Sequence, residues 1–171
     1  LAGIIGAKVE GANVKVKLTS PENLRQDIDV ELNGTHFQVD SLDTGVPHAI
    51  IYSDDVEAVN VKDVGNGIRF HDKFAPAGTN VDFVQKVGDH ALKVRTYERG
   101  VENETLACGT GVVASVLLSS YKNLVQPPVD VETRGGEFLK VDFHPANGGP
   151  VKDVYLEGLT RIAFEGTLAE Y

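Results

Sequence analysis

The only cysteine of the chain, Cys108, is followed by Gly109, Thr110 and Gly111, and then by the apolar run Val112-Val113-Ala114-Ser115-Val116-Leu117-Leu118. A run that is apolar on every side predicts a helix buried on most sides, beginning at Gly109, so the thiol falls at a helix N-terminus. The first amides of a helix lack intrahelical partners and together carry about half a positive charge. A thiolate is stabilised there, and the spacing predicts a Cys108 pKa lowered from about 8.5 toward neutrality. The two glycines leave the backbone uncovered, so a carboxylate could approach the amides of Gly109 and Thr110. The chemistry implied is a thiol acid or base beside an anion cradle. A free cysteine is also a good small hydrophobe for a core, and residue types alone leave both uses open. A phosphate loop is excluded, because Gly-x-x-x-x-Gly-Lys does not occur.

The elements that must position this segment read as strands. Apolar residues alternate at Val14, Val16 and Leu18, at Ile28, Val30 and Leu32, at Phe37 and Val39, and at Leu92 and Val94. The pattern returns at Val129 and Val131, at Leu139, Val141 and Phe143, and at Ile162 and Phe164. Period-two alternation is the mark of half-buried strands, and Asn33-Gly34 between two of them predicts a tight primed hairpin turn. Two segments differ. Asp54 to Ile68 predicts one or two surface helical turns, and Gly109 to about Leu124 predicts the buried helix, stopped by Pro127-Pro128. With no internal repeat or linker, residues 1–171 are expected to form one α+β domain: a mostly antiparallel, curled sheet wrapped around one central buried helix.

Composition narrows the partners. The 171 residues carry 25 Asp+Glu against 16 Lys+Arg, a net charge of -9. Phosphate recognition needs clustered Lys and Arg, so nucleic acid is not an expected partner. No apolar stretch is long enough to span a bilayer, and nothing at the start reads as a signal peptide. One cysteine excludes an internal disulfide or a multi-cysteine zinc cage and suits a reducing cytoplasm. The carboxylates show no metal-ligand spacing. There is no methionine at all and the first residue is Leu1, which predicts that the chain is a piece of a longer protein.

A resemblance then supplies a candidate reaction. Glu98-Arg99-Gly100, followed by Glu104-Thr105-Leu106-Ala107-Cys108-Gly109-Thr110-Gly111, closely resembles the second signature of the diaminopimelate epimerase family. Asp43-Thr44-Gly45-Val46-Pro47-His48 is similar to that family's segment ending in Pro-His. Phe74-Ala75-Pro76-Ala77-Gly78-Thr79-Asn80-Val81-Asp82-Phe83-Val84 is similar to its asparagine-bearing strand, and Leu1-Ala2-Gly3-Ile4 to the start of its second half.

The resemblance implies a C-terminal half of an enzyme that interconverts LL- and meso-diaminopimelate without pyridoxal phosphate or another cofactor, in lysine and peptidoglycan precursor biosynthesis. It implies two facing halves, each giving one cysteine: a thiolate takes the α-proton and a thiol returns one to the opposite face. Cys108 corresponds to the second-half cysteine, and the Gly109 and Thr110 amides to those holding the reacting carboxylate. Arg99 would bind the distal carboxylate, Glu98 would lie near an amino group and help set thiol protonation, and Asn80 would contact substrate. His48 corresponds to a histidine that tunes the cysteine pair. The fragment alone is then expected to be inactive for want of its N-terminal half, with homodimerisation open.

Departures are Val46, where many members have Asn, and a loop at Val101-Glu102-Asn103 one residue longer than the shortest versions. Val64-Gly65-Asn66-Gly67-Ile68-Arg69 echoes the first-half cysteine motif, but its position fits a surface helix of this half. Two alternatives stand beside the epimerase: a related racemase or isomerase of the same fold, and a non-catalytic binding domain with an inert cysteine. His36, His71, His90 and His144 have no motif around them and are assigned nothing.

Overall fold

A computed structural model describes residues 5–144 and 151–169. The strands in the first half are β1 (Ala7–Glu10), β2 (Asn13–Lys17), β3 (Glu22–Leu32), β4 (Thr35–Asp43) and β5 (Pro47–Tyr52). Helix α1 (Val61–Arg69) precedes β6 (Asn80–Gly88), β7 (Ala91–Glu98) and the short β8 (Asn103–Thr105). Helix α2 (Gly109–Tyr121) then leads to β9 (Val129–Thr133), β10 (Phe138–His144) and β11 (Lys152–Leu159). This is a sheet-dominated α+β fold with two helices.

The eleven strands form one mixed sheet in the order β1-β2-β11-β10-β9-β7-β6-β5-β4-β3, with β8 added on β7. Only β5–β6 and β7–β9 pair in parallel; every other described pair is antiparallel. Leu32 pairs with Thr35 across Asn33-Gly34, which have φ of 51° and 80°. Both turn residues are therefore left-handed, as a type I′ hairpin requires.

The middle of the sheet is covered on both faces. One face, with Leu42, Ile50, Val84, Leu92 and Val94, packs on the α2 side chains Val112, Val116 and Leu117. The other, with Val39, Ala49, Ile51, Val81, Phe83 and Tyr97, packs with Val61 and Ile68 of α1. Strands buried on both faces read as continuous apolar runs rather than alternation, which is why β5 and β6 carry no period-two signal. Helix α2 is buried from Gly111 through Ser119 and packs against β4, β5, β6, β7 and β10. It ends at Tyr121, about a turn before the expected stop.

The Val64-to-Arg69 segment lies within α1, and its glycines have packing reasons. A Cβ on Gly65 would lie 2.5 Å from Tyr97 Cβ, and one on Gly67 would lie 2.9 Å from Leu32 Cδ1. Gly65→Ala is expected to cost about 1–3 kcal/mol by overpacking, because the contact is to the root of a side chain fixed on β7. Chemical denaturation tests this, and an unchanged midpoint would contradict it.

One expected strand is not formed. Ile162 and Phe164 lie in a segment with no strand assignment and no ladder partners among the described residues, and are 82% and 86% exposed. The chain leaves the sheet at Thr160, whose N–H bonds Ala12 O at 2.7 Å. Alternation marks a segment competent to be a strand, but a strand also needs a neighbouring edge. Leu1-Ala2-Gly3-Ile4 lies outside the described residues. No described helix is long and apolar enough to cross a membrane.

Candidate active site

Strand register brings the candidate residues to one face. His48 pairs with Asn80, and Asp82 with Thr96. Side chains two apart share a face, so His48, Asn80, Asp82, Thr96 and Glu98 all lie on the side that α2 covers. Helix α2 aims its N-terminus at them. Its N-cap is Cys108, half-buried, with φ −132° and ψ 106°, the extended conformation that an N-cap adopts. The segment leading to it is pinned: Arg95 grips the carboxylate of Glu104 on β8 at 2.6 and 2.9 Å, and Gly135 N–H bonds Leu106 O at 2.8 Å.

A chain of hydrogen bonds joins the thiol to the sheet. Cys108 Sγ lies 3.5 Å from Thr110 Oγ1, which lies 3.0 Å from His48 Nε2. His48 Nδ1 lies 2.7 Å from Asp82 Oδ2, and the Thr96 hydroxyl donates to Asp82 Oδ1 at 2.6 Å. His48 and Asp82 are both fully buried. Thr44 donates to Thr110 O at 3.0 Å and so fastens the first turn of α2 to the segment before β5.

The other candidates sit at the edge of this group. Asn80 Oδ1 accepts the Arg99 N–H at 2.9 Å, and its Nδ2 donates to Pro47 O at 3.0 Å. Asn80, itself buried, thus ties three segments together. The Arg99 guanidinium bonds Ala77 O at 3.3 Å, and both Glu98 and Arg99 are half-buried. The Gly109 and Thr110 N–H groups are first-turn amides without intrahelical acceptors, as an anion cradle needs. Cavities of about 450 and 470 Å³ lie elsewhere, one beside Tyr121 and Phe143 and the other under Leu159. Leu106, two residues before Cys108, is 71% exposed.

Two sequence expectations are corrected. The Cys108 thiol is pushed above its ordinary range, not below it. Burial is the main cause, and the carboxylates of Asp82 and Glu98 add to it, while the Thr110 hydroxyl pulls the other way. Near neutral pH the residue is a thiol. Gly111, moreover, does not uncover backbone for a ligand: a Cβ there would stand 2.3 Å from Asp82 Oδ1, so glycine makes room for the buried acid.

The raised thiol has a linkage consequence. The folded state holds its proton to higher pH than the unfolded chain, so this contribution to stability is full below about pH 8.5. It is lost as pH rises through the folded value. Denaturation between pH 8 and 10 is expected to show a decline that Cys108→Ala makes shallower, and identical slopes would refute it.

Sequence reasoning missed Asp82, Thr44 and Thr96 as members of this group. Only Asp82 left a signal: an acid inside the otherwise apolar run Val81-Asp82-Phe83-Val84.

A family model described as diaminopimelate epimerase matches residues 41–152, a span that holds this whole constellation. The chain belongs to the diaminopimelate epimerase family. It is 47% identical over 173 residues to the diaminopimelate epimerase of Aquifex aeolicus (strain VF5), covering 99% of this chain and 60% of that protein. It is 40% identical over 177 residues to the diaminopimelate epimerase of Hydrogenobaculum sp. (strain Y04AAS1), with the same coverage. The chain therefore spans about 60% of the length of these curated relatives. Among solved structures, a hydroxyproline epimerase from Agrobacterium vitis is similar with a TM-score of 0.69 at 15% identity, over 91% of this chain and 52% of that one. A likeness at that identity is one of fold alone.

Proposed function

We propose that this chain is the C-terminal, Cys108-bearing half of a cofactor-independent diaminopimelate epimerase. The observation that carries the proposal is Cys108 at the N-cap of α2, beside the unpaired Gly109 and Thr110 amides, within a family match that includes all of these residues. Removing an α-proton places negative charge on the α-carbon and its carboxylate. Donors preorganised at a helix N-terminus stabilise such charge as it develops. Inversion further requires a base on one face of the planar carbanion and an acid on the other.

In this reading Cys108 is held as the acid of the resting site, consistent with its raised pKa. The second cysteine, as base, belongs to an N-terminal domain, a segment of the family's length that this chain does not span. Arg99 pairs with the distal carboxylate of the substrate, for which a guanidinium fork is suited. Glu98 faces an amino group, and its charge helps to keep Cys108 protonated. Asn80 contacts the substrate, and His48 tunes the thiol. Residues 1–171 act as one domain whose sheet curls around α2. The whole enzyme works in the cytoplasm, on the route to lysine and peptidoglycan precursors, and the fragment alone does not epimerise.

A substrate panel tests the assignment. The full-length protein is expected to interconvert LL- and meso-diaminopimelate and to leave proline untouched, since proline offers Arg99 no second carboxylate. Turnover of proline but not of diaminopimelate would move the chain to the related racemases.

A further inference from the structure

Asp82 has no role in the reaction as described, yet as an ionised carboxylate it would set the hydrogen-bond directions around it. Its carboxylate oxygens accept, one from the Thr96 hydroxyl and one from His48 Nδ1. With its proton on Nδ1, a neutral imidazole leaves Nε2 as an acceptor. The Thr110 hydroxyl must then donate to Nε2, which turns its oxygen lone pairs toward Cys108 Sγ. The directions form one series: S–H to Oγ1, O–H to Nε2, and Nδ1–H to carboxylate. Glycine at position 111 keeps clear the space that Asp82 occupies.

We propose that Asp82 is a positioning residue that holds His48 in its Nδ1–H tautomer and thereby makes the Thr110 hydroxyl a proton bridge between Cys108 and His48. To turn Cys108 from acid to base, the Sγ proton passes to Thr110 Oγ1 while the hydroxyl's own proton passes to His48 Nε2. The products are a thiolate, an unchanged hydroxyl and an imidazolium facing the Asp82 carboxylate. Two protons shift in concert for a net transfer of one, no other reactant is needed, and the reverse movement restores the thiol. An epimerase that runs in both directions needs each cysteine to serve in both states, and this relay supplies the exchange without opening the site to water. The titratable groups facing His48 are Asp82 on β6 and, through Thr110, Cys108; those facing Cys108 are Asp82 and Glu98. Its strand neighbours Leu42 and Asn80 and the nearby Thr96 add none.

The proposal deepens the epimerase reading, and its test has one arm independent of that reading. In the full-length protein labelled with ¹⁵N-histidine, His48 (assigned by its loss in His48→Gln) is expected to show an unprotonated Nε2 and a protonated Nδ1. Asp82→Leu, close in shape and at home in an apolar run, is expected to move the proton to Nε2. A parent His48 protonated on Nε2 would overturn the relay whatever the protein catalyses.

In the kinetic arm, Thr110→Val keeps the backbone amide but removes the bridge, and is expected to lower kcat by roughly 10²-fold with KM little changed. Thr110→Ser, which restores a hydroxyl, should recover most of that loss. Because Thr110 is half-buried, this pair stays informative even if Asp82→Leu unfolds. Parental kcat in Thr110→Val would overturn the bridge. A parent with the expected tautomer but no turnover of diaminopimelate would sink the epimerase reading and leave the tautomer assignment standing.

Discussion

A Cys108→Ser variant of the full-length protein is expected to unfold later than the parent by about 0.5–1 kcal/mol while losing at least roughly 10²-fold in epimerase turnover. The two effects share a cause. Cys108 occupies the N-cap of α2 with suitable backbone angles, but its side chain makes no capping hydrogen bond. Serine is among the best N-cap residues, because its oxygen accepts from an amide of the first turn. A cysteine there forgoes that stability, which a residue selected for packing or capping has no reason to do. A serine hydroxyl is far too weak an acid to exchange a proton near neutral pH, so the stabilised protein is expected to be catalytically idle. Denaturant melts and turnover assays on the same preparation check both halves. Parental turnover in the serine variant would remove Cys108 from the reaction.

Gly111→Ala is the second large effect, and helix propensity predicts its sign wrongly. Alanine in a helix interior is favoured over glycine by about 1 kcal/mol. Here the new Cβ would stand 2.3 Å from Asp82 Oδ1. A carboxylate at the end of a side chain could often swing away, but this one is fully buried and held by Thr96 at 2.6 Å and His48 at 2.7 Å. Moving it leaves buried polar groups unpaired, and together with overpacking this costs about 2–4 kcal/mol. The clash outweighs propensity. Gly109→Ala is the control, since its Cβ would meet only the tip of Leu156 at 3.0 Å, and a flexible leucine yields easily. Chemical denaturation is expected to rank Gly111→Ala well below Gly109→Ala, and the reverse order would contradict the packing argument.

What was legible in the sequence follows from what each signal depends on. The Asn33-Gly34 hairpin and the start of α2 at Gly109 rest on local backbone chemistry, and both are found where expected. The parallel pairings β5–β6 and β7–β9 depend on segments far apart in sequence, and nothing local announces them. Ile162 and Phe164 have the pattern of a strand but no edge to join among the described residues. The direction of the Cys108 pKa was misread for a similar reason. The helix terminus that favours a thiolate is local, whereas the burial and the two carboxylates that oppose it arrive on β6 and β7. Asp82 shows the same limit: its place in an apolar run was visible, but its partners His48, Thr96 and Gly111 come from three other elements.

We propose that Cys108 belongs to a pair of proton-transferring thiols in an amino-acid epimerase. The most direct test is exchange of the substrate α-proton with solvent. The full-length protein, incubated with LL-diaminopimelate in deuterium oxide near neutral pH, is expected to deliver meso product carrying deuterium at the inverted carbon, and Cys108→Ala is expected to deliver none. Substrate recovered with its α-proton and configuration intact from the parent protein would contradict the account.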